Sequence, residues 1–208
     1  MLPQWSGFYV GANAGGALQS TVLADKDCNL SCSSQTMNGS GFTAGGTAGW
    51  NHQFGTGVVG VEADFNWAGF KDSFSDPDWA GVANGTIHSA EWKWFATVRG
   101  RAGVVVDRAF LYATGGLALV NVNDFGQSLV TGCANRGCYS ITGVQAGIAA
   151  GFGVEYALAG PWSAKAEYLY IGLPNKNVQD SVRTNPSDIY GAKSDAHIVR
   201  LGVNYHLN

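Results

Sequence analysis

Charged side chains and proline are both scarce in this chain of 208 residues. Lys, Arg, Asp and Glu together make up 13% of the sequence, which is about half of the share in an ordinary soluble domain, and the chain has only 5 prolines. This composition excludes a charge-rich disordered chain and a coiled coil. The net charge of −3 comes without a basic cluster, so we expect no nucleic-acid partner. The length predicts a single domain over residues 1–208.

Long apolar segments of the kind that form membrane helices or signal peptides are also missing. Residues 1–24 carry no charge, but no Lys or Arg precedes their apolar part and polar residues interrupt it. We therefore expect a mature chain, whose export signal has been removed or was never part of this sequence. Residues 137–154 are uncharged, yet Gln145 interrupts them and Glu155 ends them, which is unfavourable for a membrane helix. The glycines of residues 55–60 match a dinucleotide fingerprint, but an alternating segment follows where that motif requires a helix.

What the sequence has instead is alternation with a period of two. In one segment Val59, Val61 and Ala63 share a face, whereas Glu62 and Asp64 share the other, which is typical of a β-strand. The same pattern recurs along the chain and predicts eight strands, near residues 6–16, 42–53, 58–70, 91–103, 109–120, 142–158, 162–171 and 196–207.

The connections between these strands alternate between long and short. The short ones cover residues 54–57, 104–108 and 159–161, and the long ones cover residues 17–41, 71–90, 121–141 and 172–195. Structureless loops beyond about 12–15 residues are uncommon in compact domains, but membrane barrels combine tight turns at one end with long loops at the other. We therefore predict an all-β fold, an eight-stranded antiparallel up-and-down transmembrane β-barrel in a bacterial outer membrane. Its four long loops are extracellular, and its short turns and both termini are periplasmic.

Aromatic residues on the apolar face fall near the two ends of the predicted strands. Aliphatic residues such as Val61, Val98 and Leu201 lie between them. Amphipathic rings at both interfaces with aliphatic side chains between them are typical of a barrel exterior in a lipid bilayer. The sequence thus predicts two aromatic belts, formed by Phe8, Trp50, Phe110, Tyr156, Trp162 and Tyr205 at the short-turn end and by Phe65, Trp67, Trp92, Trp94, Tyr168 and Tyr170 at the long-loop end.

The opposite face of the strands carries the charges. An eight-stranded barrel is only wide enough for side chains to fill it, and buried charges must pair because isolated ones are costly. We expect a plug of ion pairs with at most a thin path of water. Since acids and bases come from many strands, their role is predicted to be structural rather than catalytic. The predicted network consists of Glu62, Asp64, Lys93, Arg99, Arg101, Glu155, Lys165, Glu167 and Arg200.

Cysteine and histidine offer few other sites. The local pairs Cys28/Cys32 and Cys133/Cys138 fall in long loops, where an oxidising exterior favours disulfides within each loop; pairing across loops and metal binding are the alternatives. His88 and His197 fall near the long loops and are candidate hemin ligands or general bases, the alternative being solvated loop histidines. No combination of nucleophile, base and orienting group stands out. We expect no enzymatic activity, no metal and no cofactor.

Several segments together resemble the small surface-exposed outer-membrane barrel proteins of alphaproteobacteria, a family of immunogenic, porin-like proteins with some hemin-binding members. The likeness covers most strands and few loop residues. It is carried by WSGFYVGANAG at residues 5–15, VEADF at 61–65, TVRGRAG at 97–103, YATGGLA at 112–118, EYA at 155–157, EYLY at 167–170 and HIVRLGVNY at 197–205. The resemblance implies the same barrel fold and a surface location, but the family is not defined by one reaction.

These observations predict an integral outer-membrane protein with a structural or surface-interaction role in the cell envelope. Two functional alternatives stay open, a small-solute porin and a surface protein that binds hemin. The expected partners are membrane lipid, lipopolysaccharide and neighbouring envelope proteins. A soluble lipocalin-like barrel is the alternative fold, but it would bury the aliphatic face and would give the aromatic residues no reason to form two belts.

Overall fold

The computed structural model describes residues 4–25, 34–76, 86–128, 139–179 and 189–207. Within these ranges the chain is almost entirely β-structure, and no helix in them is long and apolar enough to cross a membrane. The strands, in chain order, are β1 (Gly7–Asp25), β2 (Ser34–Phe54), β3 (Gly57–Asp76), β4 (Thr86–Val106), β5 (Ala109–Ser128), β6 (Tyr139–Ala157), β7 (Trp162–Gly172), β8 (Lys176–Gln179) and β9 (Ile189–His206).

Antiparallel pairing closes the strands into a barrel. Each strand from β1 to β6 pairs with the next, β7 pairs with β9, and β9 pairs back with β1. The short strand β8 follows β7 after three residues and pairs with β9, so that β7 and β8 take successive parts of one position in the wall. The barrel therefore has eight strand positions, and the predicted fold class is confirmed.

The strands extend beyond their predicted ends on the long-connection side. β1 reaches Asp25 instead of residue 16, and β2 starts at Ser34 instead of residue 42. Backbone pairing continues through this region, from Leu18↔Ser40 to Ala24↔Ser34. Alternation could not reveal these extensions, because it reports the contrast between an apolar and a polar face, and both faces of β2 carry polar residues here.

The two faces of the wall have opposite character along the predicted membrane-spanning part. Val61 and Leu201 point outward and are 56% and 68% exposed, whereas their strand neighbours Glu62 and Arg200 are buried in the interior. Successive side chains of a strand point to opposite faces, so each strand contributes to both surfaces. Around the middle of the wall, aliphatic side chains such as Val61 and Leu201 face outward and ionised side chains such as Glu62 and Arg200 face the barrel axis.

The interior is filled in three layers from the short-turn end to the long-connection end. The lower cluster contains Trp5, Val58, Val105, Phe110 and Tyr112. Above it lies a layer of charged side chains, which we call the charge network and describe below. The upper cluster is apolar again and contains Ala17, Ala68, Phe70, Trp92, Phe95, Ala118, Val120, Val122, Ala149, Leu169, Ile171, Leu173, Ala196 and Ile198. The sequence analysis did not predict this upper cluster.

An irregularity in β4 makes two predicted positions wrong. Trp92 pairs with Val122 and Trp94 pairs with Asn121, so that Lys93 is an extra residue between two consecutive pairs. Such a β-bulge interrupts the alternation of the strand. As a result, Trp92 is buried in the upper cluster instead of lying in the outer belt, and Lys93 is exposed on the outside instead of joining the charge network.

Phe110 is also placed wrongly by the sequence prediction. In β5 the even-numbered residues Phe110 and Tyr112 point inward and are buried, whereas Leu111 points outward and is 47% exposed. The pattern around Phe110 and Leu111 is apolar in both phases, so alternation gave no basis for choosing the face. The ring of Phe110 packs inside, 5.6 Å from the ring of Trp5 in the lower cluster.

Candidate functional site

The charge network is built by inward-facing residues of five strands. Four carboxylates face four basic groups, so the formal charges balance once Lys93 lies outside. All eight side chains are buried, and together they cross the whole width of the barrel. Its members are Glu62 and Asp64 from β3, Arg99 and Arg101 from β4, Glu155 from β6, Lys165 and Glu167 from β7, and Arg200 from β9.

Arg99 lies at the centre of the network and bridges three carboxylates. Its Nη2 is 2.6 Å from Oε1 of Glu62 and 2.8 Å from Oδ2 of Asp64, and its Nη1 is 2.9 Å from Oε1 of Glu167. Its Nε donates a hydrogen bond to Thr97 Oγ1 at 2.9 Å. A guanidinium group is suited to this position because its donors form a rigid planar fork.

Arg200 and Lys165 extend the network to the neighbouring strands. Arg200 Nη2 lies 2.7 Å from Glu167 Oε1 and 3.0 Å from Asp64 Oδ2. Lys165 Nζ lies 2.9 Å from Glu62 Oε2 and 3.7 Å from Glu167 Oε2. Each of these three carboxylates therefore contacts two or more cations, which compensates for the burial of its charge.

Arg101 connects the network to the lower cluster. Its Nη1 lies 3.0 Å from Glu155 Oε2 and its Nε donates to Asn51 Oδ1 at 2.8 Å. Its guanidinium carbon lies 4.4 Å from the ring centre of Tyr9 and 5.4 Å from that of Tyr112, within the range of cation–π attraction. The side chain thus joins a charged layer to an aromatic one.

Uncharged groups that the sequence analysis missed complete the hydrogen bonding of the carboxylates. Tyr9 and Tyr112 donate their hydroxyls to Glu62 and Glu167, both at 2.8 Å. Further donors to the four acids are Thr97 and Asn66 on Asp64, and Ser163 and Asn204 on Glu155. Tyr9 and Tyr112 lie on predicted strands that carry no charged residue. For the other four groups the available signal was the strand face that each shares with a charged residue.

Glycine makes room for the longest of these side chains. A Cβ atom at Gly49 would lie 2.2 Å from the hydroxyl oxygen of Tyr9, and one at Gly11 would lie 2.1 Å from Oδ1 of Asn204. No side chain fits at these inward positions. The glycines of the inner face are therefore part of the network, because they allow Tyr9 and Asn204 to reach their carboxylates.

The arrangement links distant strands of the wall through ion pairs and hydrogen bonds. Every acid in it is hydrogen-bonded to a cation and buried, so none of these four carboxylates lies in an open cleft of the kind that acid–base catalysis uses. Among the described residues, no group of three or more His, Cys, Asp and Glu side chains could hold a metal ion.

The outer surface carries aromatic residues at both predicted levels. At the short-turn end the rings of Trp162 and Tyr205 meet at 5.0 Å, and farther towards the long connections Phe65 stacks on Trp94 at 5.5 Å. Ten of the twelve predicted belt residues point outward, the exceptions being Trp92 and Phe110; the ten are Phe8, Trp50, Phe65, Trp67, Trp94, Tyr156, Trp162, Tyr168, Tyr170 and Tyr205.

Of the remaining candidates, only His197 has a side chain in the part of the chain that the structure describes, and it lies apart from the network. His197 is exposed on the outer face of β9, where its Nδ1 is 2.6 Å from the hydroxyl of Tyr168 and its Nε2 is 3.6 Å from Oδ2 of Asp195. His88 belongs to β4, but its side chain lies outside the described part. Outside it as well are the four cysteines, Cys28, Cys32, Cys133 and Cys138, whose pairing stays a prediction.

Comparisons with known proteins agree with this architecture. Residues 3–206 match the family described as outer membrane protein beta-barrel domain. The chain is 36% identical over 216 residues to the 31 kDa outer-membrane immunogenic protein of Brucella melitensis, which covers 97% of this chain and 83% of that protein.

Two solved structures are similar in fold. Outer membrane protease OmpT of Escherichia coli has a TM-score of 0.56 at 9% identity, covering 100% of this chain and 99% of that chain. Outer membrane protein OprG of Pseudomonas aeruginosa has a TM-score of 0.53 at 11% identity, covering 99% of this chain and 100% of that chain. At these identities the likeness concerns the fold and carries no activity across.

Proposed function

The chain belongs to the outer membrane β-barrel protein family, and from this premise we propose that it serves the bacterial envelope as a closed, non-conducting surface protein. It is an integral protein of the outer membrane, like its relatives. The proposal concerns what the barrel does there. It supports the envelope and offers its long connections to partners outside the cell, without passing solutes and without catalysing a reaction.

The filled interior is the observation that carries this proposal. A solute on the barrel axis would meet the lower cluster with Trp5, then the charge network around Arg99, then the upper cluster with Phe95, and all of these side chains are buried. Opening a path through the middle layer would separate buried ion pairs, which costs several kcal/mol per unpaired ion. A small-solute porin is therefore the less favoured alternative.

Single-channel recording in planar bilayers tests the closed interior. We expect no stable conductance steps from the purified barrel under conditions in which a general porin conducts. The Trp5→Ala variant should also fail to conduct, because the charge network and the upper cluster still block the lumen. Steady conductance of the unaltered protein, or swelling of sugar-loaded liposomes that contain it, would contradict the proposal and favour a porin.

The proposed orientation places the short turns in the periplasm. These turns are Gly55–Thr56, Asp107–Arg108 and residues 158–161, and short periplasmic turns with longer extracellular loops are the rule for such barrels. An epitope inserted between Gly55 and Thr56 should be inaccessible to antibody on intact cells. The same epitope inserted into the connection of residues 180–188 should be detected. The reverse labelling pattern would overturn the orientation.

The proposed absence of catalysis rests on the burial of the charged groups. The network's acids contact their own cations inside the barrel, as Glu167 does with Arg99 and Arg200, and no substrate could reach them without unfolding the wall. The structural neighbour OmpT is a protease, but at 9% identity its likeness to this chain concerns the fold alone.

A further inference from the structure

The barrel wall is complete only up to the pair Ile148↔Gly172. This pair is the last one between β6 and β7 on the long-connection side, although β6 itself continues to Tyr139. Beyond it, within the described ranges, β8 forms its ladder with β9. We call the region between the upper part of β6 and β8 the seam.

The local sequence explains why pairing stops at the seam. The segment after Gly172 is Leu173-Pro174-Asn175, and proline has no N–H to donate to a neighbouring strand. The N–H of Leu173 donates to Ser194 O at 2.9 Å, so the chain stays attached to β9 while it leaves β6. The break is thus encoded at Pro174.

A groove of about 520 Å³ lies on the outer surface at the seam. Its floor is Leu173, which is buried and belongs to the upper cluster, and its sides are mostly apolar. Its volume is within the range of ~300–1,000 Å³ that is usual for small-molecule sites. The apolar walls are formed by Leu117, Ala146, Ile148, Tyr170 and Pro174.

One cation lies at the rim of this groove. Lys193 of β9 is exposed and has no ion-pair partner in the part of the chain that the structure describes. The nearby carboxylate of Asp195 lies 3.6 Å from Nε2 of His197, on the side of β9 nearer the short-turn end. The groove therefore combines an apolar trough with a positive charge beyond it, towards the long connections.

The height of the groove on the barrel matches a lipid interface. Tyr170 belongs to both the groove and the outer aromatic belt, and tyrosine rings lie at the headgroup level of bilayers. Leu117 and Ile148 lie close to this level, because they pair with each other and Ile148 pairs with Gly172, two residues after Tyr170. Lys193 lies farther towards the long connections, four residues beyond His197, the partner of Tyr170. In a molecule with an anionic head and an acyl chain, the head could contact Lys193 while the chain runs along the apolar groove towards the hydrocarbon.

We propose that the seam groove binds one acyl chain of lipid A, the lipid part of lipopolysaccharide, with a phosphate group at Lys193. The inference rests on the proposed orientation, because that orientation places the groove in the outer leaflet. The occupant is held by burial of the chain against Leu117, Ile148 and Tyr170 and by the attraction between phosphate and ammonium.

Titration of the full-length barrel in detergent micelles with purified lipid A, followed by native mass spectrometry, tests the proposal. We expect one retained lipid A molecule. Ala146→Trp fills the groove and should weaken binding at least about tenfold, as should Lys193→Glu, which reverses the rim charge. The matched controls are Ala113→Trp and Lys93→Glu, both exposed outward positions away from the seam, and should stay within about twofold of the unaltered protein.

Two other outcomes would overturn the proposal. Equal binding by Ala146→Trp and Ala113→Trp, or by Lys193→Glu and Lys93→Glu, would show that lipid A does not occupy the groove. Equal retention of phosphatidylglycerol or a free fatty acid would show that the groove has no preference for lipid A. A reversed orientation in the epitope experiment would overturn the proposed function, but it would leave these measurements on the purified protein unchanged, so the two failures are distinguishable.

Discussion

Arg99 shows how a single side chain can hold several strands of the wall together. Its guanidinium group on β4 contacts Glu62 and Asp64 on β3 and Glu167 on β7, all within 2.9 Å. The desolvation of four such ions is expensive, so the network need not be more stable than an apolar core of equal volume. Removing one partner, however, leaves carboxylates that are buried without compensation.

Replacing Arg99 by methionine should therefore destabilise the barrel strongly. We expect Arg99→Met to lower the free energy of unfolding by about 3–5 kcal/mol. Arg99→Lys should lose less, since it keeps the charge but not the planar fork. Urea unfolding in micelles, followed by tryptophan fluorescence, measures these differences.

A double variant separates the charge effect from a simple loss of packing. Adding Glu167→Gln to Arg99→Met removes one orphaned carboxylate and should restore part of the lost stability, because residues in one network are not additive. Lys93→Met, at an exposed position, should change the free energy of unfolding by no more than about 0.5 kcal/mol. If the loss of unfolding free energy in the double variant equalled the sum of the losses in the two single variants, an uncompensated buried charge would not explain the effect of Arg99→Met.

Alternation of apolar and polar residues predicts the middle parts of the strands but not their irregularities or their ends. Alternation identified all eight strand positions, because lipid and the polar interior impose opposite demands on the two faces of segments such as 58–70. It could not locate the bulge at Lys93, because the sequence Trp92-Lys93-Trp94 fits an uninterrupted alternation of apolar and polar residues. Nor could it find the ends of strands such as β2 on the long-connection side, where both faces carry polar residues.

The two-residue turn after β4 contains a backbone conformation that restricts its sequence. Asp107 has a φ of 56°, in the left-handed region that costs an ordinary side chain roughly 1–2 kcal/mol. We expect Asp107→Val to lower the free energy of unfolding by about that amount, and Asp107→Gly to change it by less than about 0.5 kcal/mol.

Thr56→Val is the matched control for this turn. Thr56 occupies the other two-residue turn and is not among the residues with positive φ, so its replacement should have little effect on stability. The same urea unfolding experiment compares the three variants. A loss for Thr56→Val as large as that for Asp107→Val would mean that a β-branched residue is unfavourable in any of these turns, whatever its φ.

The layered interior of the whole molecule could be predicted only in part. The charged layer followed from the polar residues that share one strand face, but Leu169 and Ile171 share that same face of β7 with Lys165 and Glu167. Inside a closed barrel both chemistries are buried, so polarity does not separate inward from outward positions there. The register between the strands decides which charges meet. The four acids and four bases balance only once Lys93 is excluded, and alternation could not show that exclusion.

The barrel is taller than a bilayer, so part of its outer surface must lie outside the membrane and contact water. Its strands reach 21 residues, about twice the ~9–11 that cross a membrane. Val61 lies between the two aromatic belts, and Val144 lies on β6 beyond the groove residue Ala146, farther towards the long connections; their exposures, 56% and 53%, are nearly equal.

Spin labels at these two valines should therefore report different surroundings. In liposomes, and with the native cysteines replaced by serine, a label at position 61 should collide mainly with dissolved oxygen, which concentrates in hydrocarbon. A label at position 144 should collide mainly with a water-soluble nickel complex. Because both side chains point outward and are nearly equally exposed, equal collision ratios would mean that the lipid boundary does not lie between them, and the assignment of the outer surface beyond the groove to the aqueous side would be wrong.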